Sequence, residues 1–306
     1  MTVFLISFEK IRHRMRVELR DLLELVLVPG LAALLPWRWC FALFKRLARI
    51  DWFYRPTTHE ALRQAQALGQ VPAGTEAQWL ATRRLVTMVD HADYYLAISR
   101  SDAYMRRHMD VQGQWPTPGQ AAVLLSFHWG AGMWALRHAG AQGLHVHALV
   151  AALDGAPFAG RKVLHRYAIA RTAQVGVALR HAPLVITGSL RPVVQALRRH
   201  EQVLGLVDVP ADQAEGSSLP ITVCGMAARV PKGLMRLAFD MQVPVTVYVN
   251  GFNPDTGRRF LRMEQIAPQP DLQALADAVF ARLNECMAQN NALWHFWSEG
   301  HRFFKP

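Results

Sequence analysis

Cysteine is scarce: Cys40, Cys224 and Cys286 are the only three among 306 residues, far apart and without a Cys-x-x-Cys spacing. Neither a disulfide framework nor a zinc site is suggested, and a reducing cytoplasmic setting fits. No Gly-x-Gly-x-x-Gly and no Walker-type phosphate loop occurs, which argues against a nucleotide enzyme. Ser126 and Ser189 are candidate nucleophiles, but Ser126 lacks the Gly-x-Ser-x-Gly elbow that exposes a hydrolase serine. Long apolar runs are missing too. The run Leu22 to Leu35 contains Glu24 and Pro29 and lacks a small-residue cleavage site. It is shorter than the ~20 apolar residues that span a bilayer, so it reads neither as a transmembrane helix nor as a signal peptide. Acidic residues are the minority, 23 against 34 Lys and Arg, for a formal charge of +11. Such a basic excess implies an anionic partner: nucleic acid, an anionic membrane surface or a phosphate-bearing substrate.

What is present is a chain, 51% hydrophobic and 19% charged, able to bury a large core as one extended domain or a domain with a helical appendage. Its organising stretch is Ala121 to Leu136, AAVLLSFHWGAGMWAL. Ala121 to Phe127 has the length and apolarity of a strand buried on both faces, and Gly130 and Gly132 permit a sharp turn into a helix. His128 sits at that turn. In open α/β sheets ligands bind at the C-terminal strand edge, and an adjacent helix N-terminus disfavours imidazolium, leaving a neutral nitrogen as a base. A structural histidine in a tight turn is the alternative.

Strand-like segments at 144–151, 203–209, 219–223 and 243–250 alternate with helical ones at 158–173, 188–200, 232–241 and 272–290. The pattern predicts an α/β fold with a largely parallel or mixed sheet covered by helices. Ahead of it, 59–110 is helical in pattern, and Gly113 to Gln120 is a proline-rich loop that delivers the first strand. The first 50 residues read as an interfacial helical hairpin. Trp37, Trp39, Phe41 and Phe44 interleave with Arg38, Lys45, Arg46 and Arg49, behind Lys10, Arg12, Arg14, Arg16 and Arg20. That mixture suits the headgroup layer of an anionic leaflet, although the same stripe could pack on a core. The division predicted is 1–50 for the hairpin and 51–306 for the catalytic domain, with its helical lead-in at 59–112 and α/β core at 120–306.

Asp208 directly follows the second buried-type strand, and if that strand lies beside the first, Asp208 can orient His128 and stabilise its protonated form. A turn aspartate bonded to its own backbone is the alternative. Arg229 and Lys232, before a helix opening near Pro231, are candidate anion contacts. His145 and His147 alternate along a strand as two metal ligands would, with no third ligand identifiable. Lys162 and Arg166, one helical turn apart near Arg161, His165 and Arg171, could receive phosphate groups.

The turn His128, Trp129, Gly130, Ala131, Gly132, Met133 resembles the His-x-Gly-Asn-Trp-Glu motif of the bacterial lipid A biosynthesis acyltransferases, within the glycerolipid and lysophospholipid acyltransferase superfamily. His128 and Gly130 match, and Met133 stands where an acid is usual. Leu85 to Asp110 resembles the helical segment preceding that motif, Leu204 to Lys232 its second block with the pair Asp212–Gln213, and Ala292 to Phe304 its Trp-rich ending. The resemblance implies an O-acyltransferase that moves a fatty acyl group from acyl carrier protein or a coenzyme A thioester to a hydroxyl of a lipid or pigment acceptor. It further implies the cytoplasmic face of the bacterial inner membrane as the location, no nucleic acid partner, and no cofactor or metal beyond the acyl thioester. His128 is then the general base, with Asp208 as its partner by the strand-adjacency argument and not by motif, while Gly130, Gly132, Met133, Asp212, Gln213, Arg229 and Lys232 meet substrate. Backbone amides near Gly130 and Gly132, where no Cβ intervenes, would stabilise the oxyanion. A thioester hydrolase and a non-catalytic acyl-chain-binding or scaffold protein are the rival readings.

Overall fold

The computed structural model describes residues 2–186, 189–211 and 217–304, with side chains from residue 11 onward. Seven strands form one mixed sheet in the order β1 (Met109–Gln112), β9 (Arg259–Ile266), β8 (Val245–Phe252), β2 (Ala122–Ser126), β5 (Gln202–Leu206), β3 (Val146–Val150), β4 (Leu184–Val185). The β8–β9 pair is antiparallel, and the other neighbours are parallel. β2 and β8 are buried along their whole length, which is why they are predominantly apolar, with Ser126, Thr246 and Asn250 the polar exceptions. A separate antiparallel hairpin joins β6 (Ser218–Val223) to β7 (Met226–Pro231).

Helices α7 (Met133–Ala141), α8 (Lys162–Leu179), α9 (Arg191–Arg198) and α10 (Gly233–Asp240) make the crossovers between parallel strands. The chain leaves β2 toward β3 on one side and reaches β8 on the other, so the C-terminal ends of β2, β5 and β8 flank the point where the strand order reverses. Helix α11 (Leu272–Asn290) lays Leu275, Val279, Phe280 and Leu283 on the core, and its N-cap Asp271 accepts from the Ala274 amide at 2.8 Å.

The N-terminal region departs from expectation in an informative way. Helix α1 (Thr2–Asp21), a π-helical turn at Leu22–Leu27 and α2 (Val28–Leu34) run on from one another, and α3 (Trp37–Leu47) follows Pro36. Trp37, Cys40, Phe41 and Phe44 recur at helical spacing on one face of α3 and are buried in the main core, with the Trp37 indole donating to Gly257 O at 2.9 Å. Three of the four aromatics expected at a headgroup layer are thus core residues; Trp39 alone is exposed. No helix among the described residues is long and apolar enough to cross a membrane.

Helices α4 (Arg55–Ala67), α5 (Glu76–Ser99) and α6 (Asp102–Arg107) account for most of the expected helical lead-in. Its end differs: Met109 and Asp110 belong to the edge strand β1, held by β9. Helix α8 starts later and ends later than its apolar pattern suggests, and Gly188, the expected start of α9, lies outside the described residues.

Asp93 on α5 and Arg259 on β9 form a fully buried ion pair. The guanidinium lies 3.9 Å from the Trp37 ring centre and 4.8 Å from that of Trp134. Burial pushes the Asp93 carboxyl up to about 6 against the pull of Arg259. Asp93→Ala leaves a cation enclosed between two indoles with no counter-charge, and urea unfolding should register a loss of ~3–5 kcal/mol.

Candidate active site

The turn after β2 is fastened from three directions. Parallel pairing sets Ser126 opposite Leu206, the Val207 amide extends the ladder to Ser126 O at 3.0 Å, and the next residues of each chain meet. The His128 amide donates to Asp208 Oδ1 and Oδ2 at 2.9 and 2.8 Å, and His128 Nδ1 lies 2.8 Å from Asp208 Oδ1. Asp208 is 0% exposed while the His128 side chain is 29% exposed. A carboxylate oxygen only accepts, so the imidazole proton sits on Nδ1 and Nε2 carries the lone pair. Nε2 has no partner among the described residues, and the Phe296 ring stands edge-on to the imidazole at 4.4 Å.

The C-terminal segment supplies the other fastenings. The Trp294 indole donates to Asp208 Oδ2 at 2.8 Å, the His295 amide to His128 O at 2.7 Å, and the Gly130 amide to Leu293 O at 3.0 Å. His295 Nε2 donates to Gly130 O at 2.7 Å while its Nδ1 faces Arg83 Nη2 at 3.3 Å. Gly130 has φ +74°, and a Cβ there would run into the Asn250 carbonyl and the Gly251 backbone. The close approach of β8 by itself requires a glycine here. With the Ala131 amide donating to Asn250 O at 3.2 Å, neither the Gly130 nor the Ala131 amide is available to an oxyanion. The unengaged donors lie one step on, where exposed Gly132 caps α7 and the Gly132, Met133 and Trp134 amides have no acceptor among the described residues.

The remaining sequence candidates separate. The Met133 side chain is buried in the core and presents nothing to a substrate. Lys232 caps α10, whose N-terminus lies at the strand edge that carries Asp208, while Arg229 on β7 bonds Ser218 Oγ at 2.9 Å. Asp212 and Gln213 lie outside the described residues. Ser126 is buried with its hydroxyl donating to Tyr248 O at 2.7 Å, and the Ser189 Oγ accepts from the Arg191 amide at 3.2 Å. His145 and His147 both lie beside His181, with ring centres 5.0 and 4.6 Å from its own. His147 spans Ala182 O at 3.2 Å and Glu201 Oε2 at 3.0 Å, and exposed His145 meets His181 at 2.9 Å. No group of three or more His, Cys, Asp or Glu among the described residues is arranged to hold a metal ion. At α8, Glu18 caps the Lys162 and Val163 amides at 2.6 and 2.9 Å, Arg161 is bidentate to Asp21 and Arg171 to Asp90. That helix start is occupied by the protein's own carboxylates.

Arg83, Asn250, Trp294 and His295 were invisible as site residues in the sequence. The available signal was a histidine amid aromatics in Trp294 to Trp297, a polar residue where an apolar surface would otherwise be expected. Comparison of the chain with protein-family models and with curated proteins gives no match.

Two half-buried histidines near this site stay neutral. Burial, reinforced by Arg83, lowers His295 from 6.5 to about 4, and burial with Arg171 lowers His91 from 6.5 to about 3. A histidine whose folded-state pKa is depressed contributes stability that is complete above its unfolded value and is lost as pH falls through the folded value. The window here runs from about pH 6.5 downward. The stability difference between wild type and His295→Asn, followed by thermal melts, should shrink by about 2 kcal/mol between pH 7 and pH 4 and stay constant from pH 7 to 8.

Proposed function

We propose that this chain is an O-acyltransferase of the lipid A biosynthesis type, moving a fatty acyl group from an acyl carrier protein or coenzyme A thioester to a hydroxyl of a lipid or pigment acceptor at an anionic membrane surface. The observation that carries the reading is the His128–Asp208 pair at the C-terminal strand edge, with Nδ1 engaged and Nε2 open. The resemblance of the His128–Met133 turn to the acyltransferase motif adds the reaction class. Asp208 comes from the segment just after β5 rather than from the position of Met133, so the departure at Met133 does not deprive the histidine of a carboxylate.

In this mechanism Nε2 takes the proton of the acceptor hydroxyl as its oxygen attacks the thioester carbonyl. Asp208 stabilises the imidazolium that results, and the N-terminal amides of α7 meet the oxyanion. The tetrahedral intermediate then breaks its C–S bond, and the departing thiolate takes the proton back from Nε2. Lys232 supplies positive charge at the same edge for the phosphate of the carrier or acceptor. In an assay with acyl carrier thioester and lipid acceptor, His128→Ala should lower transfer by about a hundred- to ten-thousandfold with the fold intact. Asp208→Asn should give a large part of that loss. Full transfer by His128→Ala would end the base assignment.

The membrane half of the proposal rests on α1 to α2. Ile11, Met15 and Leu19 recur every four residues on α1, Leu27 and Leu34 continue outward-facing apolar positions along the same helical run, and all are exposed beside exposed Arg12, Arg14 and Arg16. An apolar stripe edged with arginine suits the boundary between headgroups and acyl chains of an anionic leaflet. Removing residues 1 to 50 would also strip core side chains, so substitutions are the cleaner test. Met15→Glu with Leu19→Glu should abolish flotation with anionic vesicles and leave thermal stability unchanged, whereas undiminished flotation would move the contact elsewhere.

A further inference from the structure

We infer that Trp294 is a positioning residue for His128: its indole N–H pins Asp208 Oδ2, which fixes the carboxylate so that Oδ1 receives the imidazole Nδ1–H and Nε2 is left unprotonated. Three kinds of donor reach this enclosed carboxylate: the His128 amide, the His128 ring and the Trp294 indole. The first two come from the residue being positioned. Among the described residues only the indole is an outside reference, and it holds Oδ2 while the imidazole holds Oδ1. Without it, the carboxylate can turn about its own axis while keeping the amide, and the bond from Nδ1–H that favours this tautomer is weakened.

The indole is itself unable to swing away. Trp294 has no exposed surface and is packed edge-on against Trp297 and Phe303, with ring centres at 5.0 Å from each, and against Phe304 at 6.1 Å. Its backbone pairs antiparallel with Trp129, and its amide donates to Asn291 O at 3.1 Å. One residue on, His295 grips both ends of the catalytic turn, from its amide to His128 O and from its ring to Gly130 O. Burial and Arg83 lower His295 to about 4. It therefore holds one tautomer at neutral pH, donating from Nε2. Leu293 to Phe296 thus acts as a template: one edge registers the backbone of the turn, and the indole registers the acid.

A tryptophan that merely fills space would tolerate phenylalanine without altering the imidazole proton. The test is long-range ¹H–¹⁵N correlation on the full chain with ¹⁵N-labelled histidine, the His128 signals being identified by their loss in His128→Ala. At mildly alkaline pH the wild type should show the Nδ1–H tautomer, and Trp294→Phe should lower the ratio of Nδ1–H to Nε2–H roughly tenfold. A folded Trp294→Phe protein with the wild-type ratio overturns the inference. Should that variant not fold, the wild type still decides. Its Trp294 indole proton should be the slowest to exchange among the nine tryptophans and should shift upfield in Asp208→Asn. Exchange as fast as that of exposed Trp39 overturns the inference. The readout uses no acyl donor, so it stands or falls apart from the acyltransferase reading. Where that reading holds, Trp294→Phe lowers kcat about tenfold with KM unchanged.

Discussion

A carboxylate with no exposed surface cannot keep its charge unless N–H groups surround it, and Asp208 sets that condition for this whole end of the sheet. Its donors come from the turn after β2 and from a segment 86 residues away in sequence. Once those donors are aimed inward, much else is forced. The turn must bend tightly enough to present the His128 amide and ring to one carboxylate. The bend drives Gly130 into positive φ against β8, and the Gly130 amide is then spent on Leu293. The shape of the turn is thus set by the acid beneath it, and the donors left over for a substrate shift to the start of α7.

The parts of this arrangement that were legible in the sequence are the local ones. A run of apolar residues ending in His-x-Gly, and another ending in aspartate, announce two buried strands with polar residues at their C-terminal ends. Adjacency of the strands made the pairing of His128 with Asp208 a conditional statement, and the β2–β5 register satisfies the condition. A glycine that admits a ligand and a glycine that admits a neighbouring backbone look alike in one dimension, and at Gly130 the structure shows a neighbouring backbone, that of β8. β9 escaped notice: RFLRMEQI alternates as a half-buried antiparallel strand does, but it lies among residues rich in arginine and proline. Trp294 and His295 act through contacts across long sequence separations, and such contacts leave no periodic trace.

Helix α5 explains why the N-terminal helices do not behave as an appendage. Its polar residues reach separate elements: Arg83 holds the carbonyls of Ala292 and His295, Asp90 takes Arg171 of α8, and Asp93 takes Arg259 of β9. Burial opposes ionisation of Asp90, yet Arg171 outweighs it and holds the carboxyl down at about 2. Against the same helix, Tyr95 donates to Leu25 O at 2.7 Å and its ring lies against Gly30. One helix therefore ties the outer helices to the sheet and, through Arg83 and His295, to the turn that bears His128. Buried charge of this kind adds little net stability but makes misregistered packing costly, since any slip strands a cation or a carboxylate.

On the acyltransferase reading, the same geometry sharpens the question of transfer against hydrolysis. A histidine held at Nδ1 and open at Nε2 accepts a proton from water as readily as from an alcohol, so the base cannot be the source of the preference. The preference has to come from what covers Nε2 when the thioester is bound. Phe296 already shields one edge of the imidazole. An acceptor drawn from a membrane brings apolar surface of its own, which completes the enclosure as it delivers the hydroxyl. The apolar stripe on α1 and the dyad on the sheet then answer a single requirement: water is kept from the acyl group because the acceptor arrives from a phase that has little of it.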